Sequence, residues 1–299
     1  MRATMRAIGL AALLGAAIAW PCLAPLDAAK GALSEVEAAQ GTAAIAGTAR
    51  PVLTDAEKER FLLNADIKAT IKVSKGVTKA RQVRMTDGQL THDAQVQDVD
   101  ISMPFFQVDP KHTEVNFKDS YRYNIAAYRL SLLLGLDNVP MSVERVVDHK
   151  PSAVTWWLDD VAMEEGDRKK LKEQPYGPNP VRTLGYLSIM RVFDELIQNR
   201  DRNLGNMLWS KDWKLWMIDH TRSFRLGKDL LNPKTLERCE RTVFGKMKEL
   251  NAPQLTEVMG KSLTKEEIVA LLARRDVLVK LIEGRIAQFG EDKILFTIS

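Results

Sequence analysis

The sequence predicts an α+β fold, with strands filling the part before Met163 and helices most of the part after Asp219. Three stretches carry that reading. Residues Asp66 to Ser74 (DIKATIKVS) alternate with period two, Thr183 to Gln198 form an amphipathic helix, and Met207 to Ile218 hold the aromatic and aliphatic residues of a short hairpin. At 299 residues, 45% hydrophobic and 27% charged, the chain has the composition of a globular domain that can bury a sizeable core. A net charge of +4, from 43 basic against 39 acidic residues, is too small and too evenly spread to mark a nucleic-acid or membrane-surface partner.

The first residues read as an address rather than as fold. Arg2 and Arg6 precede an apolar run from Ala7 to Trp20 and then small residues, the pattern of a signal peptide over residues 1–29. Cleavage is expected after Ala24 or Ala29. Pro25 would hinder the first cut, so a mature chain starting at Lys30 is favoured. Cys22 follows Pro21, a poor match to lipoprotein processing. The apolar run is shorter than the ~20 residues that span a bilayer, and an uncleaved anchor is the alternative; in either case the body of the chain is expected to be exported, periplasmic or secreted. Residues 30–50, rich in Ala, Gly and Thr and without an aromatic, read as a flexible linker. Removal of the leader leaves Cys239 alone, which excludes an internal disulfide. Cys239 is expected on a helix and inert. His92, His112, His149 and His220 offer no zinc spacing.

A helix starts at Thr54, whose T-x-x-E pairing with Glu57 is a capping box, and runs to about Asn64. The strand at Asp66 to Ser74 breaks at Gly76-Val77-Thr78-Lys79, a second follows at Arg81 to Met85, and Thr86-Asp87-Gly88 turns the chain. Gln107 to His112, with Pro110, is expected as a loop leading to a strand at Glu114 to Lys118; His92 to Gln97 is an alternative strand. The strongest helix of the first half is Ser120 to Leu134, with Tyr121, Ile125, Tyr128 and Leu132 as its apolar stripe; Gly135 ends it and Pro140 stops any continuation. Strands are expected at Val143 to Val147 and Ala153 to Met163, a loop from Lys169 to Pro180, then the helix that ends at Gln198. Beyond Asp219 the pattern is helical, with a start at Pro233, a break at Asn251 to Pro253, and a final helical pair opened by the capping box Thr264-x-x-Glu267.

Between the helix ending at Gln198 and the hairpin lies a polar loop, and Asp219 closes the second hairpin strand. Loop and hairpin direct Asp201, Asn206 and Asp219 towards one point. That set suits phosphoryl transfer, where one carboxylate orients the attacking hydroxyl and two oxygen ligands hold the magnesium that bridges the phosphates. A polar turn ahead of a hairpin is the plainer reading of the same residues, since Asn, Gly and Asp are common in turns.

The pattern D-x-L-I-x-N-x-D-R-(H/N)-x-x-N, matched by Asp194, Leu196, Ile197, Asn199, Asp201, Arg202, Asn203 and Asn206, resembles that of the atypical kinases: the phosphatidylinositol 3- and 4-kinases, the HipA toxin kinases and, most closely, the secretory-pathway group around the Golgi casein kinase. The resemblance implies a two-lobed protein-kinase-like fold over residues 51–299, with a small mixed β lobe to about Met163 and a helical lobe over 164–299. It implies ATP and magnesium or manganese as cofactors, Asp201 as catalytic base, Asn206 and Asp219 as metal ligands, and Asn199 and Arg202 as supports. Lys118, in a strand of the form V-x-x-K, is the first choice for the lysine that holds the phosphates, with the turn at Gly76, Thr78 and Lys79 covering them. Under the alternative alignment, Gln97 stands where the lysine is expected and Lys79 or Arg81 serves instead. Asn124 aligns with the helix acid that pairs that lysine, and an amide cannot neutralise it. His220 and Thr221 replace the usual Phe-Gly after the metal-binding Asp, and no activation loop is evident. The function implied is an ATP- and magnesium-dependent phosphotransferase acting on a hydroxyl of an exported protein or other substrate. The alternatives are a weakly active or inactive nucleotide-binding module on the same fold, and an AMP transferase.

Overall fold

The first lobe is built around α1 (Asp55–Asn64), β1 (Asp66–Val73), β2 (Arg81–Thr86), β3 (Thr91–Gln97), β4 (Asp100–Asp109), β5 (His112–Ser120), α2 (Arg122–Leu133), β6 (Ser142–Val147) and β7 (Lys150–Trp156). The computed structural model describes residues 53–73, 80–109 and 112–298; the leader and linker, and the turn at Gly76, Thr78 and Lys79, lie outside them. The capping box at the start of α1 forms as expected, with the Thr54 hydroxyl accepting from the Glu57 amide at 3.3 Å and the Glu57 carboxylate accepting from the Thr54 amide at 2.7 Å. Five strands make one antiparallel sheet in the order β1-β2-β3-β7-β6. Val83, Met85, Ala94, Val96, Val143 and Val154 are buried, in one core with Phe61 and Leu62 of α1 and with Ala126, Ala127 and Leu130 of α2.

The helix α2 is buried on more sides than a single stripe allows. Tyr121, Ile125 and Tyr128 are buried but Leu132 is 45% exposed, while Tyr123, Ala126, Ala127 and Leu130 fill the rest of the surface. Gly135 ends it at φ +73, and the Leu136 amide donates to the Ser131 carbonyl at 2.8 Å, closing the helix through a left-handed glycine.

The expected loop at Gln107 to His112 is instead mostly strand, because β4 runs to Asp109 and pairs with β5 in a separate two-stranded ribbon. The ribbon is covered only in part: Glu114, Phe117, Asp119 and Ser120 of β5 are buried. Phe105 and Val115 are exposed, and period-two burial was therefore no guide. Phe117 is the anchor; it is buried and Phe106 stacks on it at 4.1 Å.

The second lobe comprises β8 (Val161–Glu164), α3 (Glu165–Arg168), α4 (Pro180–Ile197), β9 (Met207–Ser210), β10 (Leu215–Met217), β11 (Cys239–Glu240), α5 (Arg241–Glu249), α6 (Ala252–Met259), α7 (Lys265–Phe289), α8 (Glu291–Ile294) and β12 (Leu295–Phe296). The single strand expected from Ala153 to Met163 is two strands in two sheets, since β8 pairs with β9 and residues 157–160 connect the lobes. The helix α4 begins earlier than Thr183, because Pro180 takes its first turn and the Asn179 side chain caps the Arg182 amide at 3.1 Å. Thr264 opens one helix of 25 residues rather than a pair. Cys239 lies on a short strand paired in parallel with β12, and burial pushes its thiol up to about 12, which makes it inert. Among the described residues no helix is long and apolar enough to cross a membrane.

The side chain that locks α7 to the site is Arg274. It is wholly buried and donates to the carbonyls of Leu196 at 2.8 Å, Arg225 at 2.8 Å and Gly227, joining the end of α4 to the segment after Asp219. Burial pushes its pKa down to about 10, so it stays charged at neutral pH. Arg274→Ala strands three carbonyls at about 1–3 kcal/mol each when left without a donor, and is expected to destabilise the protein by about 3 kcal/mol or more. Urea denaturation measures this; a loss below about 1 kcal/mol would mean that water replaces the guanidinium.

Candidate functional site

A chain of hydrogen bonds holds the loop after α4. Arg202 forks onto Asp194 with two bonds of 2.9 Å, and its other arm donates to the carbonyls of Asn206 and Ile218, each at 2.8 Å. Asn199 takes the Asp201 amide at 3.0 Å and donates to Asp194 at 3.1 Å. Arg202 thus ties the loop to both α4 and the hairpin, and Asn199 ties it to α4. The Asn206 amide nitrogen donates to the Asp201 carbonyl at 3.0 Å, which leaves its Oδ1 without a hydrogen bond among the described residues. Asp219 follows β10 at φ +52, a left-handed backbone that Asp tolerates better than most residues.

The loop and hairpin bring Asp201, Asn206 and Asp219 together. Asp219 is half-buried, and its desolvation raises its pKa; hydrogen bonds from the Thr221 hydroxyl and amide oppose this, and the charge of Asp201 adds to the rise. A third acid that the sequence reading passed over, Asp119 at the end of β5, belongs to the same group. Its carboxyl is raised chiefly by burial, with the charges of Asp219 and Asp201 adding to the effect. The available signal was alternation along β5, which turns Asp119 away from the face that carries Lys118.

A cleft of about 710 Å³ opens beside Asp219, within the size range of small-molecule sites. Val139, Met163 and Leu208 give it apolar lining, while Lys72, Asp219 and His220 are among its polar walls. The connector at Trp157 to Asp159 also faces it. Trp156 stacks on His92 with ring centroids 3.8 Å apart and meets Phe61 edge-on. His220 is kept neutral, since burial and the neighbouring Arg202 charge lower its pKa well below the usual imidazole value; its Nε2 accepts from Arg202 at 3.0 Å.

Lys118, the first choice for the phosphate lysine, is not brought to the cleft. Its ammonium pairs with Glu267 at 2.6 Å, where the Tyr123 hydroxyl also donates, at the start of α7. The cause is the ribbon: β5 stands apart from the five-stranded sheet, and the strand whose end reaches Asn124 of α2 is β3. There Asn124 donates to Gln97 Oε1 at 2.7 Å and accepts from the His220 amide at 2.7 Å. The two residues of the alternative alignment, Gln97 and Asn124, thus meet as a neutral amide pair. The Gln97 Nε2 is buried and has no partner. Among the described residues, Lys72 is the lysine that lines the cleft. Lys118→Met is therefore expected to leave nucleotide binding unchanged and to cost about 1–3 kcal/mol of stability through the stranded Glu267. Calorimetric titration with magnesium and ATP, together with urea denaturation, checks both halves.

The ribbon is clamped onto the segment after Asp219 by Glu114. This buried carboxylate meets Arg225 at 2.7 Å, Arg222 at 3.0 Å and Arg200 at 3.8 Å, and Phe117 lies under both Arg222 and Arg225. Arg222 also comes within 3.7 Å of Asp201. Burial lowers the Arg225 pKa, and Glu114 opposes that.

No protein-family profile and no curated protein matches the chain in sequence. Among solved structures, the crystal structure of the Golgi casein kinase is similar with a TM-score of 0.53 at 15% identity, over 78% of this chain and 77% of that one. The Helicobacter pylori proinflammatory kinase CtkA gives a TM-score of 0.48 at 10% identity, over 78% of this chain and 98% of that one. The fold is that of the atypical kinases: a β lobe and a helical lobe with a kinase-like arrangement of elements.

Proposed function

We propose that the protein is an ATP-dependent phosphotransferase that uses magnesium or manganese and acts on a hydroxyl-bearing acceptor. The observation that supports this is the joining of Asp201, Asn206 and Asp219 by one hydrogen-bonded loop beside a cleft large enough for a nucleotide. The donor set fits a hard divalent cation: Asn206 Oδ1 accepts no hydrogen bond among the described residues, and Asp219 feels the charge of Asp201 beside it. Asn206 and Asp219 would hold the metal, which would offset the charge of the phosphates. Asp201 orients the acceptor hydroxyl and takes its proton as the oxygen bonds to the γ-phosphorus and the bond to the β-phosphate oxygen breaks, releasing ADP. Lys72 on the cleft wall is the cationic side chain available to the phosphates among the described residues.

A second reading, a nucleotide-binding module with little catalysis, is favoured by the amide pair Gln97–Asn124. Two neutral side chains stand where charge would hold the phosphates, and transition-state stabilisation in phosphoryl transfer is largely electrostatic. An exported site of action and a protein acceptor remain part of the proposal through the leader and the resemblance to secretory-pathway kinases. Incubating the purified chain with γ-labelled and α-labelled ATP and a generic acceptor protein tests it. Incorporation of γ label supports phosphotransfer, incorporation of α label means AMP transfer, and magnesium-dependent binding without either supports the module.

A further inference from the structure

Asp119 is 4% exposed, and its Oδ1 is shut from solvent with no hydrogen-bond partner among the described residues. An ionised oxygen in that state is costly, and a native one calls for an unseen partner. The backbone fixes where that partner would sit. The Ser120 amide donates to the Thr221 carbonyl at 2.9 Å, clipping the end of β5 to the residues just after Asp219. The Thr221 hydroxyl lies between Asp119 and Asp219 and gives its single hydrogen to Asp219 at 3.0 Å, so it cannot serve both carboxylates.

Nearby cations do not make up the deficit. Arg202 is committed to Asp194, and Arg222 to Glu114 with a longer approach to Asp201. Three carboxylates, Asp119, Asp201 and Asp219, therefore share one neighbourhood with one hydroxyl proton and one partly shared guanidinium. On α2, Asn124 offers no charge, and its carbonyl oxygen is already taken by the His220 amide.

We propose that Asp119 is a further protein ligand of the divalent cation, reaching it from the end of β5. The inference rests on the phosphotransferase reading of the same site. Among the described residues no three Asp, Glu, His or Cys side chains converge as a ready-made cage. The site is accordingly two carboxylates, Asp119 and Asp219, with the Asn206 amide oxygen, completed by phosphate oxygens and water. Magnesium is commonly held by one or two carboxylates and substrate phosphates rather than by an all-protein cage.

The test is manganese binding to the full chain, followed by loss of the free-ion paramagnetic resonance signal, with and without a non-hydrolysable ATP analogue, in the wild type, Asp119→Asn and Asp219→Asn. Both variants are expected to bind manganese about 10- to 100-fold more weakly in the presence of the analogue, the range that perturbing a metal site typically gives. Melting without metal guards against misfolding: Asp119→Asn removes a like charge from the cluster and should melt at or above the wild-type temperature, while manganese should raise the melting point of the wild type more than that of the variant. Unchanged manganese affinity in Asp119→Asn alongside a loss in Asp219→Asn overturns the role of Asp119 and leaves the phosphotransferase reading standing. No manganese binding by the wild type with the analogue overturns both. A lower melting point for Asp119→Asn with unaltered manganese affinity assigns Asp119 a purely structural role and equally overturns the proposal.

Discussion

Asp219→Ala is expected to abolish magnesium-dependent nucleotide binding, whereas Asp201→Ala should retain binding and lose about 10²- to 10⁴-fold in turnover, the usual worth of a positioned general base. The two acids sit in different surroundings. Asp219 is half-buried, tied to Thr221 and set on the cleft wall, so its loss empties a ligand position that the metal nucleotide needs even to bind. Asp201 has a side chain 39% exposed, with its backbone held by Asn199 and Asn206; its removal leaves the loop intact and deprives the acceptor hydroxyl of a proton acceptor. Calorimetry with magnesium and ATP measures the first effect and label transfer the second. Equal loss of binding in both variants would remove the division of roles.

Charging the amide pair is the second change of large expected effect. Gln97 is 2% and Asn124 7% exposed, and they bond to each other at 2.7 Å. Gln97→Lys alone buries an ammonium without a counter-ion, as Asn124→Glu alone buries a carboxylate, and each is expected to destabilise the fold by about 3–5 kcal/mol, as a broken buried ion pair does. The double variant restores opposite charges at one contact and should recover most of that loss, giving a coupling energy of several kcal/mol in a double-mutant cycle. If the cleft holds phosphates near β3, the double variant should also bind magnesium and ATP more tightly than the wild type. Additive losses would mean that the two side chains do not face each other as charges. Tighter folding without tighter nucleotide binding would place the phosphates away from Gln97.

Local signals in the sequence were strong where one mechanism acts alone. Thr54 and Glu57 announced a helix start, Gly135 a helix end, and the order of α4, polar loop, hairpin and Asp219 placed three acceptor side chains at one point, as the hydrogen bonds of Arg202 and Asn199 now explain. Tertiary choices were not legible. The V-x-x-K form of residues 115–118 fits any strand with a terminal lysine, and only the separate pairing of β4 with β5 shows that Lys118 faces Glu267 rather than the cleft. Glu114 and Asp119 looked like ordinary strand acids because their partners, Arg222, Arg225 and the Asp219 segment, are about a hundred residues away in sequence. The run from Ala153 to Met163 reads as one strand, since propensity is silent on a chain that leaves one sheet for another at residues 157–160.

The central claim is that Asn206 and Asp219 hold a metal nucleotide with its terminal phosphate presented to Asp201. A crystal structure of the chain with manganese and a non-hydrolysable ATP analogue, with anomalous scattering recorded for the metal, addresses it most directly. The account predicts a manganese peak bonded to Asn206 Oδ1 and an Asp219 oxygen, with the γ-phosphate facing Asp201 across an open acceptor position. Nucleotide bound in the cleft with no manganese at Asp219, or turned so that its γ-phosphate points away from Asp201, would contradict it.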